Sequence, residues 1–167
     1  TGSINCLITT DEITDKHRKM LAEYEFPKNV VELSCEKKTE KFPAVGKKIA
    51  DFALIDYGVK SSIVEQLQLS GADVTVFPYD VSTETILDGN FDAVMLSNGA
   101  GNPKDVNIEN VKNLIGKLPI FGICLGHQLL ALALGGDTFK LKFGHRGANH
   151  PIINLETGKV FISSQNH

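Results

Sequence analysis

The chain has 167 residues, 42% hydrophobic and 22% charged, with a net charge of −3. That length carries one well-buried domain with some extra at one end, and the slight acidity leaves no basic footprint for nucleic acid. No apolar run reaches the roughly 18 residues of a membrane span, so neither nucleic acid nor membrane is expected as a partner. Cys6, Cys35 and Cys124 are widely spaced and odd in number, which argues against a disulfide framework and for a reducing cytoplasm. No signal peptide is visible, and because Thr1 is not a methionine, the natural start is expected to lie upstream.

Thr9-Thr10-Asp11-Glu12 resembles a capping box, and Ile13, His17, Met20, Leu21 and Tyr24 then recur at helical spacing. One amphipathic helix is expected there, with His17 as an ordinary face residue. Residues 34–48 are charged and interrupted by Pro43 and Gly46, the texture of a solvated linker. From residue 49 the pattern turns regular. Strands are expected at 49–55, 72–77, 91–96 and 120–123. Helical patterns run through Ile63, Val64, Leu67 and Leu69, then at 83–87, 106–118 and 128–134. This alternation implies βαβ units in a doubly wound, mostly parallel sheet with helices on both faces, of the α/β class. Active groups belong at the carboxyl ends of such strands. Beyond 137, alternation of Phe139, Leu141 and Phe143 predicts a half-buried strand at 138–143. Two shorter strands follow at 152–155 and 159–163, around the turn-like Glu156-Thr157-Gly158.

Two loops fall at strand ends. Gly122-Ile123-Cys124-Leu125-Gly126 has the form Gly-x-Cys-x-Gly at a strand-to-helix junction, a nucleophile elbow with cysteine in place of serine. Its glycines permit a sharp turn. The helix start behind Cys124 favours negative charge on the sulfur, and its N–H groups, notably that of Leu125, are placed to stabilise an oxyanion. The second loop is Ser97-Asn98-Gly99-Ala100-Gly101-Asn102-Pro103, whose glycines let backbone N–H groups face an anion. Cys6 and Cys35 have no such setting. His127 is expected to pack or bond at the sheet end, and Gln128 is by itself only a polar residue of a first helical turn. His145, His150 and His167 match no standard zinc spacing, so no metal is expected.

Together these segments resemble the class I, triad-type glutamine amidotransferases. The resemblance rests on Leu96 to Pro103, on Phe121-Gly122-Ile123-Cys124-Leu125-Gly126-His127-Gln128-Leu129-Leu130-Ala131, on Lys142 to Pro151, and on Ser164-Gln165-Asn166-His167. The elbow is shared by the whole class. The run Gly144-His145-Arg146-Gly147-Ala148-Asn149-His150-Pro151 points to the branch that forms the small subunit of carbamoyl-phosphate synthase. On this resemblance, 49–167 is the amidotransferase domain, of flavodoxin-like fold and incomplete at its C-terminus. Residues 1–48 are then the tail of a preceding domain plus the linker.

The resemblance implies hydrolysis of glutamine by Cys124 through a thioester. It assigns Gly99 and Leu125 to the oxyanion hole and to the substrate, with Gly101, Gln128 and Asn166 also holding glutamine. Ammonia would pass to a large synthetase subunit in a heterodimer, which makes carbamoyl phosphate from bicarbonate for arginine and pyrimidine synthesis. ATP and magnesium would be bound there, with no cofactor in this chain. Two departures stand out: Ala100 and Asn102 occupy places where the family usually has proline and aspartate, and the family's base histidine and orienting glutamate lie C-terminal to Gln165-Asn166-His167. On that reading His167 is not the base, and 1–167 alone is expected to be inactive. The alternatives are another class I amidotransferase serving guanylate or anthranilate synthesis, a cysteine hydrolase of γ-glutamyl peptides, or a non-catalytic docking fragment.

Overall fold

The computed structural model describes residues 5–166. Residue contacts divide the chain into two compact units, 27–138 on one side and the two terminal stretches, up to 26 and from 139, on the other.

Helix α1 (Asp15–Glu23) falls in the terminal unit, and the 27–138 unit is built on a five-stranded sheet. Its elements in chain order are a short helix α2 (Val30–Ser34), strands β1 (Glu40–Phe42) and β2 (Ala50–Tyr57), helix α3 (Ser61–Leu69), strand β3 (Ala72–Pro78), helix α4 (Thr83–Asp88), strand β4 (Ala93–Gly99), a 3-10 turn at Pro103–Asp105, helix α5 (Glu109–Leu114), strand β5 (Ile120–Gly122) and helix α6 (Leu125–Ala133). The strands lie in the order β1-β3-β2-β4-β5. β2 pairs in parallel with β3 and β4, and β4 with β5; only β1, at the edge, runs antiparallel.

Alternation along the central strands separates two cores. Ala53, Ile55 and Tyr57 of β2 and Val94 and Leu96 of β4 pack with Ile86, Val111, Leu114, Leu125 and Leu129, from α4, α5 and α6. Leu54, Val74, Val76 and Met95 point the other way and pack with Val64 of α3. Helices therefore cover both faces, as the βαβ pattern predicts. The chain goes from β2 to β3 on one side and returns to β4 on the other, so a topological switch lies between β2 and β4, where open α/β sheets form their binding crevice.

The edges of the expected elements shift for identifiable reasons. The helix anticipated over 106–118 shrinks to α5. Asn107 Oδ1 accepts the Glu109 N–H at 3.0 Å, Ile115 is extended, and Gly116 takes a φ of +78°. Residues 34–48 are not simply a linker. Within them β1 pairs with β3, Ala44 N donates to Asp73 at 2.8 Å, and Lys48 bridges Asp51 and Asp73 at 2.7 and 3.0 Å. Those partly exposed pairs lower the Asp73 carboxyl below its ordinary range, chiefly through the Ala44 N–H and then Lys48. Lys48 thereby ties the approach to β2 to the start of β3.

In the other unit, α1 forms as the helical spacing predicts, but it begins later than the Thr9-Thr10 signal suggests. Thr14 is the capping residue, and its N–H donates to His17 Nδ1 at 3.3 Å, so His17 closes the helix start. Strands β6 (Arg146–Ile153) and β7 (Val160–Asn166) make an antiparallel hairpin around the expected turn. The strand predicted at 138–143 is absent. Phe139 and Phe143 are exposed there, and alternation without a neighbouring strand leaves the backbone groups unpaired. β6 instead takes in Arg146 to Pro151, which carried no strand signal.

Leu114 is fully buried whereas Leu69 is 61% exposed. In urea unfolding, Leu114→Ala is expected to cost about 2–5 kcal/mol and Leu69→Ala under about 1 kcal/mol. Equal costs would contradict the assignment of the core.

Candidate functional site

Cys124 is the last residue before α6 and sits at φ +52°, ψ −109°. A non-glycine residue held there stores on the order of 1–3 kcal/mol, and it persists only where its surroundings over-determine it. Those surroundings are visible. Ile123 N donates to Leu96 O at 3.0 Å, continuing the β4–β5 ladder one residue past the strand. Gly126 N then closes the turn on Ile123 O at 3.0 Å, and Gln128 N makes the first helical bond to Cys124 O at 3.1 Å.

Both flanking glycines are required by close approach. A Cβ on Gly122 would lie 2.6 Å from the Gly126 carbonyl and from His127 N, and one on Gly126 would run into the carbonyl of Leu96. The sharp turn leaves Cys124 exposed while Leu125 beside it is buried.

The glycine turn after β4 meets this elbow. A Cβ on Gly99 would collide with the carbonyl of Tyr57 and stand 2.7 Å from Leu125 Cδ2. The structure therefore brings together Gly99, Leu125 and Cys124's own turn, three of the positions named from sequence. Gln128 is half-buried on the first turn of α6. Gly101 is exposed, with φ +96°, and its missing side chain leaves room for Val30 of α2, whose Cβ lies 3.2 Å from where a Cβ would stand. A cavity of about 260 Å³ opens here, lined by Lys28, Val30, Gly101, Asn102 and Asp105 among others. Asn102 Oδ1 accepts the Lys104 N–H at 3.1 Å and so caps the 3-10 turn, a bond that an aspartate could also accept. Ala100 is exposed.

Asn166 closes β7 and so belongs to the other unit, and His167 lies outside the described residues. The rings of His145 and His150 lie 5.2 Å apart. Among the described residues no cluster of three or more His, Cys, Asp or Glu could hold a metal ion, and no helix is long and apolar enough to cross a membrane. Cys35 contrasts with Cys124. It is half-buried, burial pushes its thiol up, and the neighbouring carboxylates of Asp56 and Asp80 add to that.

Sequence reasoning missed two contributors. Helix α2 packs Val31 into the core, and Ser34 Cβ lies 3.4 Å from where a Cβ on Gly58 would stand. Asp56, 2% exposed at the end of β2, accepts N–H bonds from Glu36, Gly58 and Val59 at 2.7–2.9 Å. The signal that could have found it is an aspartate two residues before a glycine at a strand end, the pattern of an Asx-turn. At the elbow, Gly126→Ala is expected to lower stability by about 1–3 kcal/mol or more in urea unfolding, since its Cβ meets backbone that cannot move aside. A neutral result would show that the close approach is not required.

A family model for glutamine amidotransferase class-I matches residues 53–167. The chain is 48% identical over 161 residues to the carbamoyl phosphate synthase pyrimidine-specific small chain of Bacillus subtilis, covering 95% of this chain and 43% of that one. It is 43% identical to the carbamoyl phosphate synthase small chain of Clostridium acetobutylicum, over 99% of this chain and 47% of that one. For the small chain of Listeria monocytogenes the identity is 58%, over 75% and 34%. The chain thus spans less than half the length of these curated relatives. Among solved structures, a Thermoplasma acidophilum protein described as a GMP synthase component superposes with a TM-score of 0.52 at 27% identity, over 61% of this chain and 53% of that one. With the family's match running from Ala53 within β2 through β3, β4, β5 and the elbow, the chain belongs to the class-I glutamine amidotransferases.

Proposed function

We propose that this chain carries the glutaminase site of a carbamoyl-phosphate synthase small subunit. The observation that supports it most is Cys124 held at a positive φ in the elbow, with Gly99 packed against Leu125 beside it. In the proposed reaction Cys124 Sγ attacks the side-chain amide carbon of glutamine. The carbonyl oxygen becomes an oxyanion that accepts from the N–H groups of Gly99 and Leu125. Collapse breaks the C–N bond and ammonia leaves with a proton from a general acid. The γ-glutamyl thioester is then hydrolysed by water to glutamate and free thiol. Gly101, Gln128 and Asn166 are the proposed contacts that hold the substrate.

The carbamoyl-phosphate branch is favoured over guanylate or anthranilate amidotransferases by identities of 43–58% to small chains, against 27% to the GMP synthase component. It carries with it a large synthetase partner that consumes the ammonia with ATP and bicarbonate, and a cytoplasmic setting. This chain itself is proposed to need no cofactor. For residues 1–167 alone we expect little turnover. The base that the resemblance calls for lies C-terminal to the Gln165-Asn166-His167 motif.

The test is ammonia release from glutamine by the natural full-length polypeptide with its synthetase partner. Cys124→Ala is expected to lower kcat by at least about 1,000-fold, whereas Cys35→Ala leaves it near wild type. Retention of activity by Cys124→Ala, or preference for γ-glutamyl peptides over glutamine in a substrate panel, would overturn the reading.

A further inference from the structure

We infer that Ser97 is a positioning residue of the oxyanion hole, acting on the peptide between Asn98 and Gly99. The inference rests on the proposed role of Gly99 as an oxyanion donor. Ser97 is fully buried at the carboxyl end of β4, a place where an apolar residue would continue the strand's pattern. Its hydroxyl bonds in both directions. Oγ accepts the Tyr57 N–H at 2.8 Å and donates to Asn98 O at 2.7 Å.

The second bond decides the matter. Asn98 C=O and Gly99 N–H belong to one planar peptide unit, in which they point in opposite directions. Anchoring the oxygen therefore sets the direction of the Gly99 N–H. Because Tyr57 ends β2, the anchor is referred to the central strand of the sheet, across the topological switch, and not to the solvent side of the loop.

Asn98 reinforces the same peptide from its side chain. Nδ2 donates to Gly58 O at 3.0 Å, and Oδ1 accepts the Lys60 N–H at 3.0 Å. The loop that Asn98 grips is itself fixed by Asp56, which accepts from Gly58 N and Val59 N. A donor aimed at an oxyanion must be preset, because reorienting it during reaction forfeits most of its effect. Ser97, fully buried, supplies that presetting from behind the loop, and Asn98 adds to it through its bonds to the Gly58 and Lys60 backbone.

The test uses the natural full-length polypeptide with its synthetase partner and three measurements on each variant: kcat and KM for glutamine hydrolysis, and the rate of Cys124 alkylation by iodoacetamide. Alkylation is a displacement at a saturated carbon and forms no oxyanion, so it reports the thiol and its access but not the hole. Ser97→Ala is expected to lower kcat about 10- to 100-fold, with KM and the alkylation rate nearly unchanged. Asn98→Ala, which leaves the buried hydroxyl in place, is expected to shift kcat in the same sense and serves if Ser97→Ala does not fold. Unchanged kcat in a folded variant, or kcat, KM and alkylation declining together, would overturn the inference. If Cys124→Ala retained hydrolysis, the reading of the site itself would fail and take this inference with it, whatever the Ser97 variants did.

Discussion

Everything at this site depends on how closely the backbone of α6 approaches the backbone of β4. The Cα of Gly126 lies so near the Leu96 carbonyl that no side chain fits between them. That contact lets the helix start with only two residues between it and the end of β5. The chain must then turn within one residue, and Cys124 absorbs the turn at φ +52°. Strain at Cys124 is held by what surrounds it: the Ile123–Leu96 bond on one side, the Gly126–Ile123 bond on the other, and the burial of Leu125 and Leu129 in the core below. A fully buried leucine stabilises by roughly 1.5–3 kcal/mol, so two of them are enough to hold one residue in a conformation costing on the order of 1–3 kcal/mol.

Sheet topology places the second half of the site. β2 and β4 are neighbours through a parallel pairing that slips between Ile55 and Tyr57, so Tyr57 comes opposite Gly99. The slip coincides with the segment where Asp56, Ser97 and Asn98 exchange bonds with the loop backbones. Backbone groups that the ladder leaves unpaired at its end are taken up by side chains. The glycine turn is thereby held at the switch point, against Leu125. β5 ends at Gly122 opposite Leu96 while β4 runs on to Gly99, and the elbow and the glycine turn converge because Gly99, with no Cβ, lies against Leu125 at the start of α6.

Much of this was legible in the sequence. Short apolar runs located β2, β3 and β4, because strands covered by helices on both faces bury successive residues, and the helical spacing of Ile63, Val64 and Leu67 located α3. Gly122 and Gly126 announced the elbow because their spacing answers to a backbone contact that only glycine allows. What was hidden depends on partners distant in sequence. β1 is short and charged and becomes a strand only because β3 offers it an edge. α2 is five residues long and stands because Val31 finds the core. Residues 138–143 alternate like a strand yet find no neighbour to pair with. The Ser97 hydroxyl reads as a loop residue in sequence, and only the fold reveals that it is buried and bonded to two backbones.

Direct observation of the covalent intermediate tests the central claim, that the strained elbow presents Cys124 to an acyl carbon beside preset N–H donors. Rapid acid quench of the full-length protein turning over glutamine, followed by peptide mass spectrometry, should find a γ-glutamyl adduct on the peptide carrying Cys124 and on neither Cys6 nor Cys35. Turnover with no adduct on Cys124, or an adduct on another cysteine, would contradict it.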